Sequence, residues 1–260
     1  MPSARPAATL ARLYGDLAWL WPLVSPAECY EEESACIGEL ACRYARRPVR
    51  SLLDLGCASG LHECALRARY AITGVDLSEA MIRQARANNP MGVYAVGDLR
   101  TVRLGLAYDA VLLLDAVNYM LTEADLRDAF ETAWAHLAPG GVFITLAEFT
   151  TEHFEPAEPR QSRLEQDRLE PDHRQQDRVR VIMNEWHEPP EPGATQFTGV
   201  YEYRIERNGE LITERDEHTF GLFSIDTWRS LLRARFDTVI EPDFEETASS
   251  CPVFVCIREE

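Results

Sequence analysis

The chain of 260 residues contains no lysine, so arginine supplies all 26 of its basic side chains. Aspartate and glutamate together number 43, which gives a formal net charge of −17 at pH 7. A protein that binds nucleic acid or another polyanion needs a basic surface to displace counterions. The charge balance therefore argues against a nucleic-acid partner, and solubility is its simplest consequence.

The chain also lacks the common metal and disulfide patterns. Seven cysteines include no C-x-x-C pair, and the six histidines show no H-E-x-x-H spacing. We expect no metal site and reduced thiols. No apolar run is long enough to span a bilayer, and residues 1–9 lack a signal-peptide pattern. We therefore expect a cytoplasmic protein without a membrane partner, and we leave a homodimer open.

What the chain does have is a strand–turn–helix–strand pattern. A buried strand is predicted at Ser51–Leu55, a turn at Gly56–Gly60, a helix after it, and a second strand at Ile72–Val75 that ends in Asp76. At the sequence spacing that separates Asp76 from Gly56, a carboxylate reaches the ribose hydroxyls of an adenosine-containing cofactor. Small residues in the turn let the backbone approach the ligand.

The turn itself distinguishes between adenosine ligands. A dinucleotide site has the pattern G-x-G-x-x-G, whereas this chain has Gly56-x-Ala58-x-Gly60, so its last glycine comes one position early. Asp54, just before the turn, would repel a pyrophosphate. A carboxylate at that position suits a cationic group, such as the ammonium of a methionine moiety.

The sequence Leu53-Asp54-Leu55-Gly56-Cys57-Ala58-Ser59-Gly60 resembles the first motif of class I S-adenosylmethionine (SAM) methyltransferases. The family usually has a glycine where this chain has Ala58. The resemblance implies SAM as the cofactor and S-adenosylhomocysteine as its product. Tyr14-Gly15-Asp16 is similar to the Tyr-Asp pair that opens many small-molecule methyltransferases, where the tyrosine lies near the methionine end of the cofactor.

Two further segments match the family. After Asp76, the apolar residues at Leu77 and Met81 correspond to those that flank the adenine. Gly97-Asp98-Leu99 follows a short strand and is similar to the Gly-Asp motif, in which the carboxylate accepts from the adenine amino group and the next backbone amide serves a ring nitrogen. The predicted cofactor-binding residues are thus Tyr14, Asp54, Gly56, Cys57, Ala58, Gly60, Asp76, Leu77, Met81, Asp98, Leu99 and Asp115.

The acceptor pocket is predicted beyond the fourth strand, a nearly continuous apolar run at Tyr108–Asp115. The strand order of this fold reverses there, so the following residues face the ligand crevice. We predict that Asn118, Tyr119 and Trp19 contact the acceptor. Tyr119 stands where related sugar-amine N-methyltransferases have a histidine. His218 either points into the cavity or lies on a solvated strand face, and the strand pattern favours the solvated face.

Local patterns predict the remaining elements. Residues 10–44 are predicted to be helical with a break at 22–26, and a helix capped by Thr122 is predicted to run through Leu137. Thr150–Asp177 reads as a mobile connection. Three predicted strands follow, at Arg178–His187, Gln196–Arg207 and Leu211–Phe220, and Asn208-Gly209 indicates a hairpin turn between the last two.

We therefore predict an α/β fold: a Rossmann-like, seven-stranded, mostly parallel sheet with helices on both faces. The predicted divisions are an N-terminal helical lid (1–48), a SAM-binding core (49–150), an inserted antiparallel substrate cap (151–220) and the C-terminal part of the core (221–260). The cap is expected to cover the acceptor pocket, as such inserts do in small-molecule methyltransferases.

The predicted activity is a SAM-dependent methyltransferase of the sugar-amine or glycine N-methyltransferase-like group. It would move a methyl group to the amine of a small-molecule acceptor by in-line displacement. Tyr14, Tyr119 and His218 are the candidates for positioning the acceptor. The alternatives are a small-molecule O-methyltransferase, a nicotinamide-dependent oxidoreductase and a SAM-binding protein without catalysis.

Overall fold

The computed structural model describes residues 10–156, 159–169, 176–243 and 251–259. The α-helices are α1 (Trp21–Val24), α2 (Glu31–Tyr44), α3 (Leu61–Leu66), α4 (Glu79–Asn88), α5 (Glu123–Ala135) and α6 (Ile225–Arg233). The strands are β1 (Ser51–Leu55), β2 (Ala71–Asp76), β3 (Val93–Val96), β4 (Tyr108–Leu113), β5 (Leu137–Leu146), β6 (Arg160–Leu169), β7 (Gln176–His187), β8 (Gln196–Arg207), β9 (Glu210–Gly221), β10 (Thr238–Ile240) and β11 (Val253–Ile257). Short 3₁₀ helices lie at Arg12–Tyr14, Ala18–Leu20, Ala27–Tyr30 and Asp115–Tyr119.

Seven strands form one sheet in the order β10-β11-β5-β4-β1-β2-β3. The pairs among β1 to β5 are parallel, while β11 runs antiparallel to both β5 and β10. The chain therefore starts in the middle of the sheet and moves first to one edge and then to the other. The predicted Rossmann-like fold is confirmed, and its switch point lies between β1 and β4.

Alternating side chains bury both faces of this sheet. On β4, Val111 and Leu113 pack toward α5 and α6, whereas Ala110 and Leu112 pack toward α2, α3 and α4. All four of these side chains are fully buried. Successive residues of a strand point to opposite faces, so a strand covered on both sides needs an unbroken apolar run. The apolar run that predicted β4 is explained in this way.

Hydroxyl side chains cap the helices that frame the switch point. Ser78 accepts from the N–H of Met81 at the start of α4, Thr122 accepts from Asp125 at the start of α5, and Ser224 does the same for α6. Each cap satisfies a backbone donor that has no partner within its helix. The predicted cap at Thr122 is confirmed.

The second sheet is antiparallel and has the order β6-β7-β8-β9. Asn208 and Gly209 connect β8 to β9 with φ values of 52° and 81°, the left-handed conformations that a two-residue type I′ turn requires. Residues 10–30, called here the N-terminal segment, pack on this sheet, where Leu13 and Leu20 share a buried cluster with Tyr203. The same segment is hydrogen-bonded to Ser78 and to Gln84 of α4, so it lies between the second sheet and α4.

Three sequence-based expectations were wrong in detail. The segment Thr150–Asp177 was expected to be a mobile connection, but β6 lies within it and pairs with β7 from Arg160 to Leu169. Edge pairing relies on the backbone, so a polar sequence does not prevent it. Residues 157–158 and 170–175 of that segment lie outside the described residues.

The other two differences concern helices. The helix predicted through Leu137 ends at Ala135, because Leu137 already pairs with Tyr108 of β4. Before Glu31 the chain forms short helical turns rather than a helix with a break at 22–26, and α1 (Trp21–Val24) overlaps that predicted break. Pro22 lies in the first turn of α1, where a helix tolerates a missing backbone donor, and Pro26 lies just before the 3₁₀ helix at Ala27–Tyr30.

Candidate active site

A cleft opens at the carboxyl ends of β1, β2 and β4, with a free volume of about 1130 Å³ that includes its mouth. Ligands of open α/β sheets bind at this place. Most of the predicted site residues line the cleft: Tyr14, Asp54, Gly56, Cys57, Ala58, Asp76, Leu77, Asp98, Leu99, Asp115 and Tyr119. Segments that are far apart in the sequence thus meet at one cleft.

The turn after β1 needs its first glycine. Gly56 has a φ of +90°, and a Cβ atom placed on it would lie 2.1 Å from the Cβ of Ala116. No other residue fits without moving the start of the 3₁₀ helix at Asp115–Tyr119. Ala58 also has a positive φ, 44°, which costs a residue with a side chain about 1–2 kcal/mol. The chain thus keeps the shape of the glycine turn with an alanine at this position.

Asp76 closes the turn from the end of β2. Its Oδ2 accepts from the N–H of Ala58 at 2.9 Å, and its Oδ1 accepts from the N–H of Ser78 at 2.7 Å. Burial nevertheless raises the pKa of this carboxyl above its ordinary value. Each oxygen keeps a lone pair, so the oriented carboxylate can accept hydrogen bonds from two ribose hydroxyls.

Asp54 lies buried beneath the turn beside a second acidic side chain, Glu63 of α3. Asp54 is 3% exposed and Glu63 is fully buried. Burial raises the pKa of Asp54 to about 7 and raises that of Glu63 as well. Two neighbouring carboxyls in a dry place share a proton and titrate as a pair. A cationic group in the cleft would favour the ionised form of Asp54.

The predicted adenine end contains a cation that the sequence reading missed. Arg100 donates from Nε and Nη2 to the Asp98 carboxylate, with a shortest distance of 2.7 Å. It also donates from Nη1 to Asp125. Asp98 is therefore fixed from one side by a bidentate contact. Leu77 and Leu99 line the cleft beside it, whereas Met81 is fully buried behind the wall.

Aromatic rings cover the mouth of the cleft. The ring centroid of Tyr14 lies 5.4 Å from that of Trp21 and 5.8 Å from that of Tyr119. The hydroxyls of Tyr14 and Tyr119 are 3.1 Å apart. The carbonyl of Tyr14 accepts from the Ser78 hydroxyl, which ties the N-terminal segment to α4. An aromatic face in this position can stabilise a nearby sulfonium.

His218 is not on a solvated strand face, and that expectation was wrong. The side chain is 3% exposed, and its ring bonds to Tyr119 on one side and to Asp216 on the other. The face of β9 that carries His218 lies against the N-terminal segment and the 3₁₀ helix at Asp115–Tyr119. The approach of these segments cannot be read from the strand pattern alone.

A cluster of carboxylates follows the ends of β4 and β5. Asn118 donates to Glu148, and Asp115 lies close enough to affect the charge of Glu148. Burial, with repulsion from Asp115, raises the pKa of Glu148 to about 7. Burial also raises the pKa of Asp115. The side of the site beyond the turn is therefore acidic, and this would favour a cationic acceptor.

Five predicted residues do not line the cleft: Trp19, Gly60, Met81, Asn118 and His218. Trp19 lines a separate groove beside α4. Gly60 supports the turn, with Ala85 and Tyr94 3.2 Å from a Cβ placed on it. His218 lies behind the wall residue Tyr119, and Asn118 donates to Glu148, which is outside the lining of the cleft.

Sequence reasoning missed Tyr30, Arg100, Glu63, Glu148 and Asp216. Two of these had a usable signal. Glu148 follows the carboxyl end of β5, the same edge that predicted Asp115, and Asp216 shares a strand face with His218 two residues away. Tyr30 precedes α2 and comes to the cleft through the packing of that helix on α3. Burial raises the pKa of Tyr30 to about 12, so its phenol stays neutral.

Cys57 lies in the turn, where no basic side chain of the described part of the chain lowers its pKa, and burial raises the pKa of its thiol. This agrees with a packing role rather than a nucleophile. Among residues 10–156, 159–169, 176–243 and 251–259, no group of three or more His, Cys, Asp or Glu side chains is placed to hold a metal ion. Within the same described ranges, no helix has the length and apolarity that crossing a membrane requires.

Known proteins resemble this chain in sequence and in fold. Residues 52–141 match a methyltransferase domain family. A dTDP-3-amino-3,6-dideoxy-alpha-D-glucopyranose N,N-dimethyltransferase from Streptomyces fradiae is 31% identical over 158 residues, which are 59% of this chain and 62% of that protein. The aligned part thus spans about three-fifths of the length of this curated relative.

The fold extends the similarity over nearly the whole chain. Streptomyces venezuelae DesVI superimposes with a TM-score of 0.77 at 22% identity, covering 93% of this chain and 95% of that one. SAM-bound CalS10, an amino pentose methyltransferase from Micromonospora echinaspora, gives 0.71 at 22% identity, with 88% and 91% covered. Residues 52–141 are a methyltransferase domain, and the chain has the fold of these two solved structures over most of its length. The predicted methyltransferase core is confirmed.

The described residues fit SAM. The turn at Gly56 leaves room for a ligand where a Cβ would collide with the wall, and Asp76 presents oriented lone pairs to the cleft. Asp54 offers a carboxyl that an ammonium would ionise. SAM is bound in the solved structure of CalS10, which shares this fold, and the contacts of the individual residues predicted here stay predictions.

Proposed function

We propose that the chain is a methyltransferase that transfers a methyl group from SAM to the amine of an amino sugar. The observation that carries this proposal is the meeting of two walls in one cleft. One wall is the carboxylate-closed turn of Gly56 and Asp76, and the other is formed by Tyr14 and Tyr119. The relatives, by their names, methylate amino groups of dTDP-linked sugars.

The residues of the turn would hold the cofactor. Asp76 would accept from the ribose hydroxyls, Asp54 would face the ammonium group, and Asp98 would accept from the adenine amino group. When bound, SAM supplies an electrophilic methyl group on a positively charged sulfur. The aromatic face of Tyr14 would lie near that charge, which supports binding more than the reaction, since the charge is lost as the methyl leaves.

Positioning would supply most of the rate. A bound donor and acceptor held in line reach effective concentrations that a solution reaction does not. The N-terminal segment ties Tyr14 to α4 through Ser78 and covers the cleft, which would exclude water. We propose that this segment acts as a lid and that β6 to β9 form the cap over the acceptor.

The acidic surroundings favour an amine over an alcohol as the acceptor. Asp115 and Glu148 lie beyond the turn, and burial raises the pKa of both. A cationic amine would reduce the repulsion between these two carboxyls and favour their ionised forms. A neutral hydroxyl would give no such electrostatic stabilisation. This electrostatic preference is the reason to rank N-methylation above O-methylation.

A labelled-methyl assay tests the proposal. The panel contains dTDP-3-amino-3,6-dideoxy-α-D-glucopyranose, free amino sugars, and matched sugars with a hydroxyl in place of each amine. We expect transfer to amines and none to the matched hydroxyls. Transfer to hydroxyls alone would favour the O-methyltransferase, and cofactor binding without any transfer would favour a binding protein.

Calorimetry with S-adenosylhomocysteine and with NAD tests the cofactor separately. Binding of NAD in place of the homocysteine compound would refute the methyltransferase proposal and favour an oxidoreductase. We also propose a cytoplasmic location and a homodimer. Fractionation of cells and sedimentation of the purified chain check these two points.

A further inference from the structure

A chain of hydrogen bonds leads from the cleft into the second sheet. The hydroxyl of Tyr119 donates to that of Tyr14 at 3.1 Å and lies 2.7 Å from Nδ1 of His218. Nε2 of His218 lies 2.9 Å from Oδ2 of Asp216. The side chains of His218 and Asp216 are each 3% exposed. A buried polar line of this kind joins the wall of the cleft to a single carboxylate.

The far end of this line is a fixed anion. The backbone N–H groups of Arg12 and Leu13 donate to the two oxygens of Asp216, at 3.0 and 2.7 Å. Burial alone would raise the pKa of Asp216, but the hydrogen bond and charge of His218, together with these backbone donors, lower it below the ordinary value. Asp216 is therefore ionised and can only accept hydrogen bonds.

The anion fixes which ring nitrogen carries a proton. Because Asp216 only accepts, Nε2 of His218 must be the donor to it. A neutral ring then has a bare Nδ1, which accepts from the hydroxyl of Tyr119. A charged ring carries protons on both nitrogens, so Nδ1 donates to Tyr119 and leaves the Tyr119 hydroxyl to donate to Tyr14, the direction in which these two hydroxyls are paired in the structure. The pattern with the neutral ring is that of a relay before it takes up a proton, and the pattern with the charged ring is that of the relay afterwards.

We propose that Tyr119, His218 and Asp216 form a proton relay that takes a proton from the acceptor amine at the cleft. This inference rests on the proposed amine methylation. Tyr119 lines the cleft and is the group that would touch the acceptor. His218 and Asp216 are positioning residues behind it, and they act through the Tyr119 hydroxyl.

The proton balance closes without any other reactant. An N–H bond of the acceptor breaks as an O–H bond forms on Tyr119. The original O–H bond of Tyr119 breaks as an N–H bond forms on Nδ1 of His218. The acceptor ammonium loses one positive charge and gains the free electron pair that attacks the methyl group, and the imidazolium carries the charge beside the Asp216 carboxylate. Tyr119 ends neutral, as its buried position requires, since burial raises the pKa of its hydroxyl.

Few charged groups surround the ring. Tyr14 faces it from the N-terminal segment, with centroids 5.8 Å apart, and Tyr201 faces it from β8 at 4.5 Å. Glu185 of β7 lies behind Tyr201 and shares a hydrogen bond with it. Asp216 on its own strand and Tyr119 on the 3₁₀ helix complete the titratable groups that face the ring among the described residues. Asp216 is thus the anion in direct contact with it.

A simpler role competes with the relay. Asp216 also holds Arg12 and Leu13, so the whole line could serve only to fasten the N-terminal segment to β9. Such a fastening would matter equally at every pH. A relay would matter only while the acceptor amine carries a proton to be removed, because a neutral amine can attack unaided.

The test uses Tyr119→Phe and His218→Gln, with Tyr203→Phe as the matched control. The Tyr203 hydroxyl is buried on β8 without a hydrogen-bond partner among the described residues, and the side chain does not line the cleft. With the best amine of the panel, both relay variants should lower kcat roughly 100-fold at a pH below the pKa of that amine. The loss should shrink as the pH rises past that pKa, while affinity for S-adenosylhomocysteine changes by less than about twofold.

A loss that is the same at every pH, or no loss, would overturn the relay while leaving amine methylation in place. A wild-type chain that methylates no amine would instead overturn the proposed function. A measurement that needs no turnover tests the relay even if the chain methylates no amine. In the ligand-free protein, nitrogen NMR of the His218 ring should show the Nε2–H tautomer, and Asp216→Asn should remove this preference. An Nδ1–H tautomer in the wild type would contradict the relay.

Discussion

The carboxylate of Asp76 accepts a hydrogen bond from the backbone N–H of Ala58, with 2.9 Å between Oδ2 and the nitrogen. This contact joins the end of β2 to the turn after β1, so the shape of the turn and the direction of the carboxylate depend on each other. Two features that the sequence reading treated separately are therefore parts of one structure. Changing either residue should affect cofactor binding through the other.

Replacing Asp76 with alanine should weaken binding of S-adenosylhomocysteine by roughly 1.5–3 kcal/mol, the value of a hydrogen bond to a charged group. Calorimetry measures the change. Glu79→Ala is the control, since Glu79 lies three residues away with an exposed side chain that pairs with Arg83. Equal affinity in the Asp76 variant and the wild type would refute the ribose assignment.

Replacing Gly56 with alanine should abolish measurable binding of S-adenosylhomocysteine. The new Cβ would lie 2.1 Å from the Cβ of Ala116, in a conformation with a φ of +90°. Gly105→Ala is the control, because Gly105 has a φ of +70° with no atom within 4 Å of the new Cβ. That control should lose only about 1–2 kcal/mol of unfolding free energy from strain. If both variants bind alike, the close approach to Ala116 does not shape the site.

Binding of S-adenosylhomocysteine should strengthen several-fold between pH 6 and 7.5. Burial raises the pKa of Asp54 to about 7, and the ammonium of the ligand favours the ionised form. A raised carboxyl pKa has the opposite effect on the free protein, whose unfolding free energy should fall as the pH rises from about 4 toward 7. Calorimetry in two buffers with different ionisation enthalpies counts the protons released.

Asp54→Asn should remove this pH dependence, and Glu148→Gln serves as its control. Burial raises the pKa of Glu148 to about 7 too, but Glu148 contacts Asn118 and does not line the cleft. Proton release that disappears in the Glu148 variant instead would assign the titration to the acceptor side and not to Asp54.

Ser78→Ala should release the N-terminal segment. The Ser78 hydroxyl caps α4 through the N–H of Met81 and also donates to the carbonyl of Tyr14. Loss of a cap costs about 1 kcal/mol of unfolding free energy. Ser224→Ala is the control, because it loses a comparable cap on α6. The Ser224 hydroxyl contacts Thr227, which lies far from the N-terminal segment in the sequence.

Limited digestion with trypsin separates these two effects. Both serine variants should lose similar unfolding free energy in urea, but only Ser78→Ala should be cut faster after Arg12. Equal rates of cleavage at Arg12 in the two variants would show that the contact with Tyr14 does not hold the segment.

The sequence predicted the cofactor half well because local rules determine it. The turn, the caps and the apolar run of β4 each depend on neighbouring residues, and their predicted places agree with the structure. The positions of His218 and Asp216 depend instead on how the N-terminal segment and the second sheet come together. No periodicity reports such a contact, so the strand pattern of β9 gave the wrong exposure for His218.

The polar segment before β7 shows the same limit. Its composition resembles that of a mobile loop, yet backbone pairing with β7 makes it an edge strand. Glu63 was missed for a different reason, since an acidic residue in the first turn of a helix is ordinarily explained by the helix dipole. Its full burial beside Asp54 follows only from the packing of α3 against β1.

The two-residue connection between β8 and β9 determines which way every later side chain of β9 points. Asn208 and Gly209 fix the pairing of Gly199 with His218 and of Tyr201 with Asp216. Adding one residue to this connection would shift the ladder by one step and turn both side chains to the opposite surface. The histidine that contacts the cleft wall therefore owes its orientation to a glycine nine positions away, so the length of this small loop constrains the chemistry of the site.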